Sequence, residues 1–288
     1  MTPKTLLAED QVKKSIKNLI EAKPGAVGLA GERGSGKLYV ARYISEKILG
    51  SRPALDDNPN FMVFDAVSSG IEDVRNLQKT LSYSVPGKED IRRIVIIEHF
   101  DNFGHEAQNA LLKTLEEPPL NTMIIITIDN INKVLPTIVS RVQILQIKPI
   151  SRAAASKYLS GVPEAQLNRA YLMSGGSVGL LMGLLKQNSS HELVFAIVQA
   201  KELLQMPKYK RIAAIETLTK KPEIPIPQLL DGVVRVLEAA YKQSIQNSST
   251  TENLRASHKR LQSAIQAVDD INNGLNQKLA LTRLFLAL

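Results

Sequence analysis

The chain has 288 residues, 44% of them hydrophobic, and 36 Lys plus Arg against 28 Asp plus Glu give a formal charge of +8. That length suits one large domain or two to three smaller ones, while the lack of cysteine excludes disulfides and thiolate metal sites. No apolar run approaches the ~20 residues of a membrane span, and the four histidines, His99, His105, His191 and His258, show no zinc spacing.

No leader pattern is read at the N-terminus, so the expectation is a cytoplasmic protein without metal or membrane contact. The basic excess suits contact with a polyanion and equally a basic-biased surface. Only 5% of residues are aromatic, which does not favour base stacking.

In chain order, Ala26 to Ala30 (A-V-G-L-A) predicts a short strand running into a glycine-rich loop. Lys37 to Leu49 follows helical spacing, with Val40, Ala41, Ile44 and Ile48 on one side and Gly50 as its stop. Phe61 to Phe64 predicts a second strand and Ile71 to Leu81 a helix. Ile94 to Ile97 (I-V-I-I) is short, continuous and β-branched, as in the buried centre of a parallel sheet. Glu106 to Leu115 predicts a helix closed by Glu116, Glu117, Pro118 and Pro119, with strands at Met123 to Ile128 and Ile144 to Ile147. This alternation predicts α/β architecture, a parallel sheet covered by helices.

After Lys148 and Pro149 no further strand is read. Ser151 to Ser160 is helical, and Pro163 and the turn Ser174 to Ser177 punctuate two more short helices. Gln187 to Ser190 reads as a linker, Pro222, Pro225 and Pro227 as breaks, and Asn247 to Thr251 as a polar connector. The last helices are expected over Leu229 to Ile245 and Leu254 to Leu288. The chain thus divides into an α/β domain (1–150), a small helical domain (151–187) and a helical C-terminal domain (188–288).

Gly31 to Leu38 reads G-E-R-G-S-G-K-L. A phosphate-binding loop, G-x-x-x-x-G-K-[ST], cradles phosphate with backbone N–H groups, adds the charge of its lysine and holds Mg²⁺ with the final hydroxyl. Gly31, Gly34, Gly36 and Lys37 fit that pattern, but Leu38 stands where the hydroxyl belongs. A later strand of such hydrolases ends in an acidic pair; here Glu98 takes the metal carboxylate's place and His99 the catalytic one's. His99 reads as a packed or solvent-facing histidine in preference to a base. Lys79, Lys88, Arg92 and Arg93 are candidates for DNA contact by charge alone. Further on, Ser140-Arg141 offers an arginine of the kind that can enter a neighbouring active site.

The run Asn109 to Pro119 (N-A-L-L-K-T-L-E-E-P-P), followed by L-P-T-I-V-S-R over Leu135 to Arg141, closely resembles clamp-loader subunits of the bacterial replicative polymerase, members of the AAA+ superfamily. The resemblance is strong over 25–150 and weaker beyond. It implies an AAA+ domain, a helical lid and an oligomerising helical collar, the last loosely matched at Ile271 to Leu281. It also makes S-R-V a counterpart of the family's S-R-C motif and Arg141 an arginine finger acting in trans. Family members usually carry a four-cysteine zinc module after the first helix; here Ser51 to Asn60 spans that place.

The family's motors carry G-K-T or G-K-S, an Asp-Glu pair and an arginine after a glycine-serine turn, where this chain has Leu38, Glu98-His99 and Gly179. The resemblance therefore implies a non-hydrolysing stator with no required cofactor, ATP binding at the loop being weak or vestigial. Implied partners are the motor (gamma/tau) and delta subunits, the sliding clamp, and primer-template DNA through the assembled complex. Two rival readings are an ATP-hydrolysing motor subunit and a stand-alone DNA-binding protein on a decayed AAA+ scaffold.

Overall fold

The computed structural model describes residues 7–50, 54–87, 90–188, 191–220, 222–247 and 250–288. Of the features named above, Lys88 and parts of the 51–60, 187–190 and 247–251 segments lie outside the described residues. The contacts form two compact units, Met1–Ala154 with Ser177–Gly179, and Ala155–Gly176 with Leu180–Leu288.

The first unit is built on five parallel strands, β1 (Ala26–Ala30), β2 (Phe61–Asp65), β3 (Arg93–Glu98), β4 (Thr122–Ile128) and β5 (Gln143–Gln146), in the order β2-β3-β4-β1-β5. Every residue of β4 is buried. The continuous apolar runs reflect helices on both faces of the sheet, which leave no solvent side to alternate with.

Residues of alternate parity face opposite ways. Val95, Ile97, Ile124 and Ile126 pack with Val74, Leu77 and Leu81 of α3 (Ile71–Ser82) and Leu111 and Leu115 of α4 (His105–Glu116). Leu29, Ile94, Ile96 and Ile125 pack with Val40 and Ile44 of α2 (Lys37–Leu49) and Ile16 and Leu19 of α1 (Asp10–Ala22). Helix α1 is an addition to the sequence reading, although Val12, Ile16 and Leu19 carry a helical apolar spacing.

The carboxyl ends of β1, β3 and β4 lead directly into Gly31, His99 and Asp129, and pairing of β4 with both neighbours brings these three turns to one edge. In open α/β sheets ligands bind at this carboxyl edge. Two buried side chains shape it. Asp101 accepts the N–H groups of Asp129 and Asn130, both at 3.0 Å, and so fixes the turn after β4. Gln108, fully buried in α4, donates to the carbonyls of Phe103 and Lys133 and accepts from the Leu135 N–H, each at 2.9 Å. It thereby ties α4 to the start of α5 (Pro136–Val139). Gln108→Leu should cost about 3 kcal/mol in urea unfolding, since buried backbone groups would lose their partners; an unchanged midpoint would show that the tie is dispensable.

Beyond β5, short α6 (Arg152–Tyr158) leads to α7 (Glu164–Ser174), α8 (Val178–Leu185), α9 (Glu192–Gln205), α10 (Lys208–Lys220), α11 (Ile226–Gln246), α12 (Thr251–Asn272) and α13 (Gln277–Ala287). The core of the second unit joins Ala200 and Leu203 of α9, Leu229, Leu230 and Val233 of α11, Ala264 and Ala267 of α12, and Leu281, Leu284 and Phe285 of α13.

Two expectations are corrected here. The stretch Leu254 to Leu288 is two helices, because Gly274 adopts φ +85 and the Asn276 side chain caps the N–H groups of Lys278 and Leu279. Pro225 and Pro227 start α11 instead of breaking the chain: Pro225 is its N-cap, and proline in a first turn sacrifices no helical hydrogen bond.

At the crossing of α9 and α11 a Cβ on Gly232 would lie 2.5 Å from the Ala196 carbonyl oxygen. Gly232→Ala should therefore destabilise the chain in urea unfolding: overpacking of about 1–3 kcal/mol outweighs the ~1 kcal/mol gained in helix propensity. A variant more stable than the parent would contradict this close approach. Among the described residues no helix is long and apolar enough to cross a membrane.

Candidate functional site

The glycine loop closes on itself. Gly34 and Gly36 adopt φ +84 and +90, in the left-handed region that favours glycine. Gly31 donates to the Ile128 carbonyl at 3.1 Å, and a Cβ there would meet the Ile147 carbonyl oxygen at 2.5 Å.

Lys37 opens α2 and is only 6% exposed. Its Nζ donates to the Gly31 carbonyl at 2.8 Å and the Glu32 carbonyl at 2.9 Å, lies 3.4 Å from Ser35 Oγ, and pairs with Asp129 Oδ1 at 2.6 Å. Four acceptors thus meet an ammonium that carries three N–H groups. Leu38 packs into the apolar cluster beneath α1 and α2. Ser177–Gly179 belongs to this same unit, and the Gly179 backbone lies on the loop. A Cβ at Gly179 would come within 2.8 Å of the Gly34 carbonyl oxygen and 3.0 Å of Gly36 Cα, so no longer side chain fits there in this arrangement.

Asp129 also receives His99, whose Nδ1 is 3.4 Å from Oδ2; His99 Nε2 is 3.9 Å from Glu98 Oε1. Burial pulls the Asp129 carboxyl upward, but the His99 hydrogen bond and the Lys37 ammonium outweigh it and hold the group at about 2. His99 is raised above the ordinary histidine value, chiefly by its hydrogen bond to Asp129, against the opposing pull of burial.

A raised folded-state value places this contribution of His99 to stability below its unfolded value of about 6.5. The contribution is lost as pH climbs through the folded value. His99→Gln should therefore destabilise the chain more at pH near 5.5 than near 8.5, as read by urea midpoints at both; an equal loss at both would remove the imidazolium–carboxylate pairing.

Arg141 follows α5, with its side chain 42% exposed. Its Nε lies 3.1 Å from Glu116 Oε2, at the end of α4, and its Nη1 donates to the Thr137 carbonyl at 3.0 Å. The adjacent Val142 is buried in the sheet's core. Arg93 is not a surface cation: it is 5% exposed and donates to Thr122 Oγ1 and to the carbonyls of Thr80 and Leu81, and burial lowers its pKa. Arg92 is bound to the Gly87 carbonyl and the Asn121 side chain, whereas Lys79 is exposed.

Two participants have no role in the sequence reading. Asp129 was signalled only by its place directly after the apolar run 123–128. Glu116 lies within the run Asn109 to Pro119 without a spacing that sets it apart from Glu117.

The family described as "DNA polymerase III, delta subunit" matches residues 9–151, the α/β unit with its glycine loop and Arg141. The DNA polymerase III subunit delta' of Pseudomonas aeruginosa is 27% identical over 228 residues, covering 70% of this chain and 67% of that protein. The chain is a delta-prime-like DNA polymerase III clamp-loader protein. It is also 28% identical over 173 residues to the DNA polymerase III subunit gamma/tau of Mycoplasma pneumoniae, covering 54% of this chain and 25% of that much longer protein. Among solved structures, a DNA polymerase III gamma subunit-related protein from Thermotoga maritima covers 96% of this chain and 98% of its own length. Its TM-score is 0.52 at 18% identity, a likeness of fold alone.

Proposed function

We propose that the chain is a non-hydrolysing stator of the DNA polymerase III clamp loader, lending Arg141 to the nucleotide of an ATP-hydrolysing neighbour. The observation that carries this reading is the pairing of Lys37 with Asp129 at 2.6 Å, which gives the loop's own cation an internal anion in place of a phosphate. Against Mg-ATP at this loop stand also Leu38, which has no oxygen to offer a metal, and the Gly179 backbone seated on Gly34 and Gly36. Arg141, by contrast, is accessible at the surface. A guanidinium keeps its charge at every physiological pH and presents planar N–H donors to phosphate oxygens, as required where charge builds up on a transferring phosphoryl group.

The proposed neighbours are gamma/tau-type motors and a delta subunit, and the sliding clamp and primer-template DNA are engaged in the cytoplasm through the assembled complex. The division into an AAA+ domain (1–150), lid (151–187) and collar (188–288) belongs to the same reading. The test is reconstitution. The isolated chain should show no ATP turnover above a buffer control, and it should co-elute with gamma/tau and delta in a complex that loads clamps. Turnover by the chain alone would favour a motor. Tight, salt-sensitive DNA binding by the chain with no affinity for gamma/tau would favour a stand-alone DNA-binding protein.

A further inference from the structure

We infer that Glu116 is a positioning residue for Arg141, holding the guanidinium in the orientation in which it meets a neighbour's phosphate. The inference rests on Arg141 acting in trans, and it adds which group of this chain aims it.

The guanidinium is gripped from two elements. Glu116, the last residue of α4, takes the Nε edge at 3.1 Å, and the Thr137 carbonyl of α5 takes Nη1 at 3.0 Å. Among the described residues Nη2 has no hydrogen-bond partner, so its two N–H groups remain for an acceptor on another molecule. A planar cation held by one hydrogen bond and one close ion pair has little rotational freedom left.

The strut behind Glu116 is rigid. Helix α4 buries Ala107, Gln108, Leu111 and Leu115, and its Gln108 also binds the Leu135 N–H at the start of α5. One helix therefore anchors the finger segment at both ends.

Stability does not explain the placement. A carboxylate in the last turn of a helix faces the negative end of the helix dipole, and Glu117 stands beside it. With the two side chains 42% and 52% exposed, the pair adds little to folding. What the pair does supply is geometry, and small misplacements of a group acting on a transition state are costly in rate.

The test uses the complete complex, with ATP hydrolysis measured as kcat and KM for Glu116→Ala and Glu116→Gln, each alone and combined with Arg141→Ala. Glu116→Ala is expected to lower kcat at the shared interface by about tenfold at unchanged KM. Glu116→Gln, which keeps an acceptor oxygen, should fall between it and the parent. In the Arg141→Ala background neither change should matter, because Glu116 acts only through the arginine. Urea midpoints of the chain confirm that each variant folds.

A normal kcat in Glu116→Ala alongside a slow Arg141→Ala would overturn the positioning role and leave the finger standing. So would a faster kcat, the mark of a restraining latch, or an equal slowing with and without Arg141. A normal rate in Arg141→Ala itself would remove both readings.

Discussion

Arg141→Ala, on the proposed role in trans, is expected to slow ATP hydrolysis by the reconstituted complex by about 10³-fold or more, the usual loss when an arginine finger is removed. Clamp loading by the reconstituted complex should slow with it. The chain itself should fold as before. The side chain is 42% exposed, and its pair with a half-exposed carboxylate is worth about 0–1 kcal/mol. Little else depends on it, since the neighbouring Val142 supplies the local anchor in the core. Arg141→Lys should recover only a small part of the rate, because an ammonium keeps the charge without the planar array of donors. Single-turnover hydrolysis by the complex with clamp and primed DNA reads the effect directly. Full activity with alanine at 141 would remove the arginine from catalysis.

Asp129→Asn is expected to act on stability and on nucleotide at once. Among the described residues the carboxylate is the one anion paired with Lys37, which is 6% exposed and so is screened little by water. Breaking a buried pair by removing one partner costs about 3–5 kcal/mol. Because Asp129 retains 23% of its side-chain exposure, the expected loss is nearer ~2–3 kcal/mol after allowance for solvent screening.

The same group sets an acid limit. Its folded-state value of about 2 lies below the ordinary 3.8, so its contribution is present above about pH 4 and disappears as pH falls toward 2. The urea midpoint of the parent chain should therefore drop over that window more steeply than the midpoint of Asp129→Asn. Parallel curves would show that the pair does not stabilise the fold. With the internal anion gone, Lys37 is released toward phosphate, and titration calorimetry with ATP should detect binding in Asp129→Asn where the parent shows none. Equal affinity in the two would mean that Asp129 is no substitute for phosphate.

Much of the first unit was legible because its signals are local. A sheet covered on both faces writes itself as short apolar runs, and 26–30, 94–97 and 123–128 fall within the observed strands. Helix α2 was bounded by the glycine loop before it and Gly50 after it, so both ends were visible in the neighbouring residues. The family resemblance likewise rests on contiguous runs and needs no coordinates.

The break at Gly274 was hidden because apolar spacing continues across it; the φ of +85 and the Asn276 cap outweigh that periodicity. Arg93 reads as a surface charge beside Arg92, yet the alternation of β3 turns it inward, where Thr80, Leu81 and Thr122 satisfy its donors. No one-dimensional pattern distinguishes two adjacent arginines on that basis.

From residue types alone follow the parallel α/β class, the glycine loop with Leu38 in place of a hydroxyl, and the presence of an arginine after Ser140. Only the folded chain decides that Lys37 is answered by Asp129 and Arg141 by Glu116. The reason is one of distance. Backbone conformation and burial patterns are set by near neighbours along the chain, whereas an ion pair forms between groups that parallel strand order brings together from separate segments. The effect of each charge then depends on what lies a few ångströms away in space.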